Sequence, residues 1–158
     1  MPNYRRPRLP GATIFFTVNL ADRSSDLLVR RIDLLRAAVR ATRAAHPFEI
    51  KAWVVLPDHM HCIWRLPDGD ADYALRWRQI KTRVSRACPM GPRRRSHIAR
   101  AERGIWQRRF WEHHVRSDEE EAALTEYCWT NPVKHGLVDR ARDWPYSSVH
   151  RDERFTDP

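Results

Sequence analysis

The sequence predicts an α+β fold of ferredoxin-like (RRM-like) type, an antiparallel sheet with two helices on one face and a third helix, bearing Tyr127, over the other. Three observations predict it. Short stretches alternate apolar and polar residues with the period of a strand, and longer stretches between them repeat apolar residues with the period of a helix. Their order along the chain is β, α, β, β, α, β, α. No internal repeat divides the 158 residues, a length that one domain fills while burying a core without disulfides.

Taken in order, Ile14, Phe16, Val18 and Leu20 alternate with Thr13, Phe15, Thr17 and Asn19, a first strand. Residues 26–46 place Leu28, Ile32, Leu35 and Val39 on one stripe of a helix about five turns long, which Pro47 ends. In residues 49–56, Ile50, Ala52, Val54 and Leu56 oppose Lys51, Trp53 and Val55, and Pro57-Asp58 turns this strand into the next as a hairpin. Pro67-Asp68-Gly69-Asp70 closes that next strand, and residues 72–88 form a second helix with Trp77, Ile80 and Val84 inward. Residues 106–115 read as a fourth strand. Ser117 with Glu120 forms a capping box, acids fill the first turn and Pro132 marks the stop of a helix of about four turns.

Composition narrows the partners. The 29 Lys+Arg against 20 Asp+Glu leave a formal charge of +9, which attracts polyanions. Lysine occurs only at Lys51, Lys81 and Lys134, so the excess is arginine, whose planar fork suits phosphate and stacks on bases. Cys62, Cys88 and Cys128 show no CxxC spacing and read as core thiols of a reducing compartment. The apolar stretch 12–20 follows a basic start as in a signal peptide, but Thr17 and Asn19 interrupt it with a strand's alternation. No stretch approaches the roughly 20 apolar residues of a membrane span, so a cytoplasmic location is expected.

The chemistry concentrates at two places. In a strand, His59, His61 and Ile63 share one face and Met60, Cys62 and Trp64 the other, so the two imidazoles sit about 6 to 7 Å apart at Cα and can converge on one cation. On the last helix, Tyr127 and Asn131 are four residues apart and project from one face. The same residues are compatible with packing, the histidines as surface or core groups and Asn131 as a helix-end residue.

Four ordered blocks then carry a resemblance. Pro57-Asp58-His59-Met60-His61-Cys62-Ile63-Trp64 resembles the HUH motif of single-tyrosine transposases. Trp106-Gln107-Arg108-Arg109-Phe110-Trp111-Glu112-His113, Tyr127-Cys128-Trp129-Thr130-Asn131-Pro132-Val133-Lys134-His135-Gly136-Leu137-Val138 and Asp143-Trp144-Pro145-Tyr146-Ser147-Ser148 resemble later blocks of the REP-associated tyrosine transposases. The resemblance spans residues 11–151. It implies that Tyr127 is the nucleophile, that His59, His61 and Asn131 hold a divalent cation, Mg²⁺ or Mn²⁺, and that the substrate is single-stranded DNA carrying hairpins of repetitive extragenic palindromes (REP). It further implies action as a monomer and a single transposase domain over residues 1–158.

DNA contacts are expected from Arg76, Arg78, Lys81, Arg83 and Arg86 around the apolar stripe of the second helix, and from Arg108 and Arg109. The Arg-rich stretch 89–104 has no hydrophobic period and reads as a flexible loop. Gln107, Trp111, His113 and His114 interleave with the basic residues as single-strand platforms do, and His113 and His114 read as DNA contacts or packing, since adjacent strand residues face opposite ways. Two rivals belong to other classes: a non-catalytic nucleic-acid-binding module on the same fold, and a zinc hydrolase. The hydrolase needs a carboxylate base by the histidines, and strand alternation would aim Asp58 at the opposite face.

Overall fold

The computed structural model describes residues 5–157; the ends of the expected single domain, residues 1–4 and 158, lie outside the described residues. Strands β1 (Thr13–Asn19), β2 (Glu49–Val55), β3 (His59–Arg65) and β4 (Trp111–His114) make one antiparallel sheet in the order β2-β3-β1-β4. That is the ferredoxin-like order the element succession predicts. Helices α1 (Leu27–Arg30), α2 (Ile32–Ala45) and α3 (Tyr73–Ala87) cover one face, α4 (Arg95–Ala99) lies in the Arg-rich stretch, and α5 (Asp118–Lys134) crosses the other face.

Each sheet face has its own core, because β-strand side chains alternate. Ile14, Phe16, Val18, Met60, Cys62 and Trp64 meet Leu35, Tyr73, Trp77, Ile80 and Val84 under α2 and α3. At its centre Trp64 stacks on Trp77 with centroids 4.3 Å apart, and fully burying such a side chain contributes about 1.5–3 kcal/mol. On the opposite face Phe15, Ala52, Val54, Leu56 and Ile63 meet Cys128, Trp129 and Val149. All three cysteines are buried free thiols.

Five local departures from the sequence reading have physical causes. The first helix breaks at Arg31, whose φ of −120° and ψ of 43° leave the helical range, while the Leu28 N–H bonds the Pro57 carbonyl at 3.2 Å and draws the first turn toward the hairpin. In β2 a register shift between Ile50 and Ala52 puts Ile50 on the α2–α3 face, away from Ala52 and Val54, because one extra residue flips the alternation. β4 is shorter than residues 106–115, since the Gln107 and Arg108 carbonyls accept from Lys81 Nζ (2.7 and 3.4 Å) instead of joining the ladder.

Pro132 does not stop α5, which runs on to Lys134. Gly136, at φ +68°, ends it, with Gly136 N–H donating to Val133 O and Leu137 N–H to Pro132 O, both at 2.9 Å, the two bonds of a Schellman motif. The Arg-rich stretch contains α4, and its two ends are tied by Gly91 N–H to Arg103 O at 3.0 Å.

The C-terminal block also finds a role. Trp144 Nε1 donates to Val55 O (2.8 Å), Val55 N–H to Tyr146 O (2.8 Å) and Trp53 N–H to Ser148 Oγ (2.9 Å). These bonds satisfy the outer edge of β2, which would otherwise expose a row of unpaired backbone groups.

Candidate functional site: two imidazoles, a carboxamide and a phenol

β3 presents His59 and His61 to the α5 face, both 5% exposed, with ring centroids 5.0 Å apart. The cross-strand register supplies their orientation. Thr17 lies opposite His61 on β1, and its Oγ1 meets His61 Nδ1 at 2.8 Å. His59 Nδ1 meets Asp58 Oδ1 at 2.8 Å. An ionised carboxylate only accepts, so the His59 proton sits on Nδ1 and its Nε2 lone pair is left available.

Asp58 therefore does not point away from the pair, as alternation would have it, because it lies in the turn before β3, where the two-residue period does not yet hold. Its second oxygen accepts from Arg23 Nε at 2.5 Å, and Arg23 Nη1 donates to Asn19 Oδ1 at 2.8 Å. Burial alone would raise the Asp58 carboxyl, but the hydrogen bonds from His59 and Arg23 outweigh it and hold it below its usual range. With both oxygens committed, Asp58 fits an orienting role and not that of a free hydrolytic base.

The imidazoles are held neutral. Burial pushes His59 down, with Asp58 opposing; burial, then the neighbouring His59, His135 and Arg23, brings His61 to about 3. At neutral pH both rings can offer a lone pair without first losing a proton.

α5 brings the remaining groups. Asn131 is 2% exposed, and its Oδ1 has no hydrogen-bond partner among the described residues. A buried carbonyl oxygen left so is costly unless something electropositive meets it. Tyr127 is 38% exposed, its ring 5.3 Å from that of His61 and 6.0 Å from Phe15, which stacks on His61. Two imidazole nitrogens and a carboxamide oxygen form a donor set that could hold one divalent cation and leave its other positions to water or phosphate. No group of three or more His, Cys, Asp or Glu side chains among the described residues forms a metal cluster, so the amide is needed to complete this set.

Four residues of this site were not singled out from the sequence. Lys134 Nζ stands 4.7 Å over the Tyr127 ring, and the His135 ring lies 5.2 Å from His59. Carrying α5 on to the glycine stop at Gly136 would have found both, seven and eight residues beyond Tyr127. Thr17 needed the strand register and Arg23 the turn after β1 that brings it to Asp58, neither of which a local signal supplies.

The basic residues divide. Arg76, expected on DNA, is 1% exposed, and its guanidinium bonds both Asp70 oxygens (2.7 and 3.1 Å) and the carbonyls of His46, Pro47 and Asp72. It ties the end of α2 to the start of α3 and has no surface to offer a phosphate. Lys81 is likewise committed, lying between the Trp106 and Phe110 rings with its carbonyl partners, and burial, then Arg6, lowers it to about 8. Arg78, Arg83, Arg86, Arg108 and Arg109 are exposed. Arg78, Arg86 and Arg108 line a cavity of about 680 Å³ with Arg6, Trp106 and Phe110. This groove adjoins α3, across the sheet from the histidines. On β4, His113 faces α5 and bonds Glu120 at 2.6 Å, while His114 packs near Tyr73 on the other face.

No protein-family model matches the chain. It is 47% identical over 152 residues to a REP-associated tyrosine transposase of Escherichia coli, covering 96% of this chain and 85% of that one. A Haemophilus influenzae relative named for the same family is 44% identical over 154 residues, covering 96% of this chain and 88% of its own. Among solved structures, a REP-associated tyrosine transposase bound to a REP hairpin matches with a TM-score of 0.83 and 46% identity, over 96% of this chain and 85% of that one.

Proposed function

The chain belongs to the REP-associated tyrosine transposases, and we propose that it cuts and rejoins single-stranded DNA bearing REP-type hairpins through a covalent bond to Tyr127. The observation that carries this reading is the meeting, on one sheet face, of an accessible phenol, two buried neutral imidazoles oriented through Nδ1 and the unpartnered Asn131 oxygen.

In the proposed reaction the Tyr127 phenolic oxygen attacks phosphorus, the bond from phosphorus to the 3′ oxygen breaks, and the 5′ end stays on the tyrosine. The phenol gives up its proton and the departing 3′ oxygen gains one, so no charge is left over. The phosphodiester energy is retained, so attack by a 3′-hydroxyl reverses the step and joins strands without ATP. His59, His61 and Asn131 would hold the cation, Mg²⁺ or Mn²⁺, which when bound neutralises charge on the non-bridging oxygens. Asp58 and Thr17 fix the two rings, and Lys134 adds a positive charge beside the phenol. Action as a monomer is part of the same proposal. The exposed arginines of the α3 groove are the proposed seat of the hairpin.

The test is a denaturing gel of the protein with a 3′-labelled hairpin oligonucleotide from repeats flanking its own gene, with Mn²⁺ or EDTA. A metal-dependent, protease-sensitive adduct is expected for the wild type and absent for Tyr127→Phe. Hairpins bound but never cut by the wild type would leave only a binding module.

A further inference from the structure

We propose that Trp111 is a stacking platform for the unpaired nucleobase next to the phosphodiester that Tyr127 attacks, an inference that rests on the strand-transfer reading above. Five of the seven tryptophans are buried and Trp144 is half-buried, whereas Trp111 is 56% exposed on the edge strand. An exposed indole in a water-facing strand gives up stabilisation that burial would supply, so its position calls for a ligand with an aromatic face.

The register puts this indole in the catalytic row. Trp111 pairs with Thr17, and Thr17 pairs with His61, so the three residues form one line across the α5 face of the sheet. Two strand spacings, about 10 Å, separate Trp111 from His61 along it. Phe15 connects them, meeting Trp111 at 5.7 Å and 72°, His61 at 5.6 Å and 20°, and Tyr127 at 6.0 Å. Because Trp111 meets Phe15 edge to face, Phe15 does not cover both indole faces. His113, parallel to the indole at 8° and 5.9 Å, extends the aromatic strip, and Glu120 anchors it.

Position and charge favour a nucleic-acid strand as the occupant. The α3 groove and the histidines lie on opposite faces of the sheet, and β4 is the edge between them on that side. Phe110 and Arg108 line the groove, and Trp111 follows at once on the catalytic face, with Arg109 exposed between them. A strand leaving a hairpin in the groove for Tyr127 crosses this edge, where arginines meet its phosphates and the indole meets a base. Stacking of this kind accepts any base, so Trp111 sets where the strand lies and not which sequence it has.

The experiment compares wild type, Trp111→Ala and Trp111→Phe on the hairpin oligonucleotide and on copies with a single abasic site at each position around the cut. Binding is measured in EDTA and adduct formation with Mn²⁺. Trp111→Ala should bind the intact strand roughly ten- to a hundred-fold more weakly, with Trp111→Phe recovering most of the loss. One abasic position beside the cut should weaken the wild type similarly and leave Trp111→Ala almost unchanged. Equal binding by all three proteins, or a loss in Trp111→Ala that no abasic position mirrors, would overturn the proposal. If the wild type forms no adduct on any oligonucleotide, the strand-transfer reading itself has failed; adduct formation without coupling to Trp111 rejects the platform alone.

Discussion

The neutral state of His61 has a consequence for stability that its neighbours do not share equally. Its value falls from 6.5 to about 3 on folding, because burial and nearby positive groups disfavour the imidazolium. Between those limits the unfolded chain binds a proton that the folded chain refuses, so stability from this residue is complete above 6.5 and lost as pH falls. At about pH 5.5 the loss from His61 alone is about 1.4 kcal/mol, and His59, lowered by the same burial, adds loss of the same sign. Urea denaturation of the metal-free protein at about pH 7.5 and pH 5.5 measures it. His61→Gln should show a clearly smaller pH dependence than the wild type, and parallel behaviour would remove His61 as the cause.

At the scale of elements, what was legible in the sequence was whatever a local period encodes. The alternation around His59 placed both histidines on the α5 face, and the four-residue spacing placed Tyr127 and Asn131 on one side of their helix. Non-local features were hidden: the bulge that turns Ile50 over, the Lys81 contacts that shorten β4, and the pairing that hands His61 to Thr17. Arg76 misled because a run of basic residues looks alike whether solvated or buried against Asp70. The end of α5 is set by a glycine and not by the proline inside its last turn. Pro132 removes one N–H from the last turn and crowds the carbonyl four residues back, yet the helix runs past it, whereas Gly136 supplies the left-handed residue that closes the helix. A Cβ at Gly136 meets nothing within 4 Å, so only backbone strain opposes it. Gly136→Ala should therefore cost about 1 kcal/mol, lowering Tm by about 2–4 °C, with Gly136→Asn closer to wild type. A Gly136→Ala protein as stable as the wild type in a thermal melt would contradict this account of the C-cap.

For the whole molecule, the formal charge of +9 matters less than its division between a structural and a solvent-facing set. The sheet separates a groove bordered by Arg78, Arg86 and Arg108 from the histidine row, so the proposed hairpin seat and the proposed chemistry lie on opposite faces, with β4 the edge between them. Phosphate contacts release counterions, and for a single strand each contributes about 0.7 to the slope of log K against log salt. Arg108 is paired with Glu102 at 2.9 Å, so replacing it also frees an acid, and its effect is mixed. Arg78 and Arg86 are the cleaner probes. In a Tyr127→Phe background, with EDTA, Arg78→Ala and Arg86→Ala should each lower the slope by about 0.7, or nearer 0.9 where the contact is to duplex stem. Arg76→Met should leave the slope unchanged yet destabilise the fold by about 3 kcal/mol, the low end for a broken buried pair because Asp70 is partly exposed. Salt titrations with the hairpin oligonucleotide read the first effect and urea melts the second. Unchanged slopes for both Arg78→Ala and Arg86→Ala would move the DNA off the α3 groove. With it would go the path around β4, because a strand held elsewhere need not cross that edge to reach Tyr127.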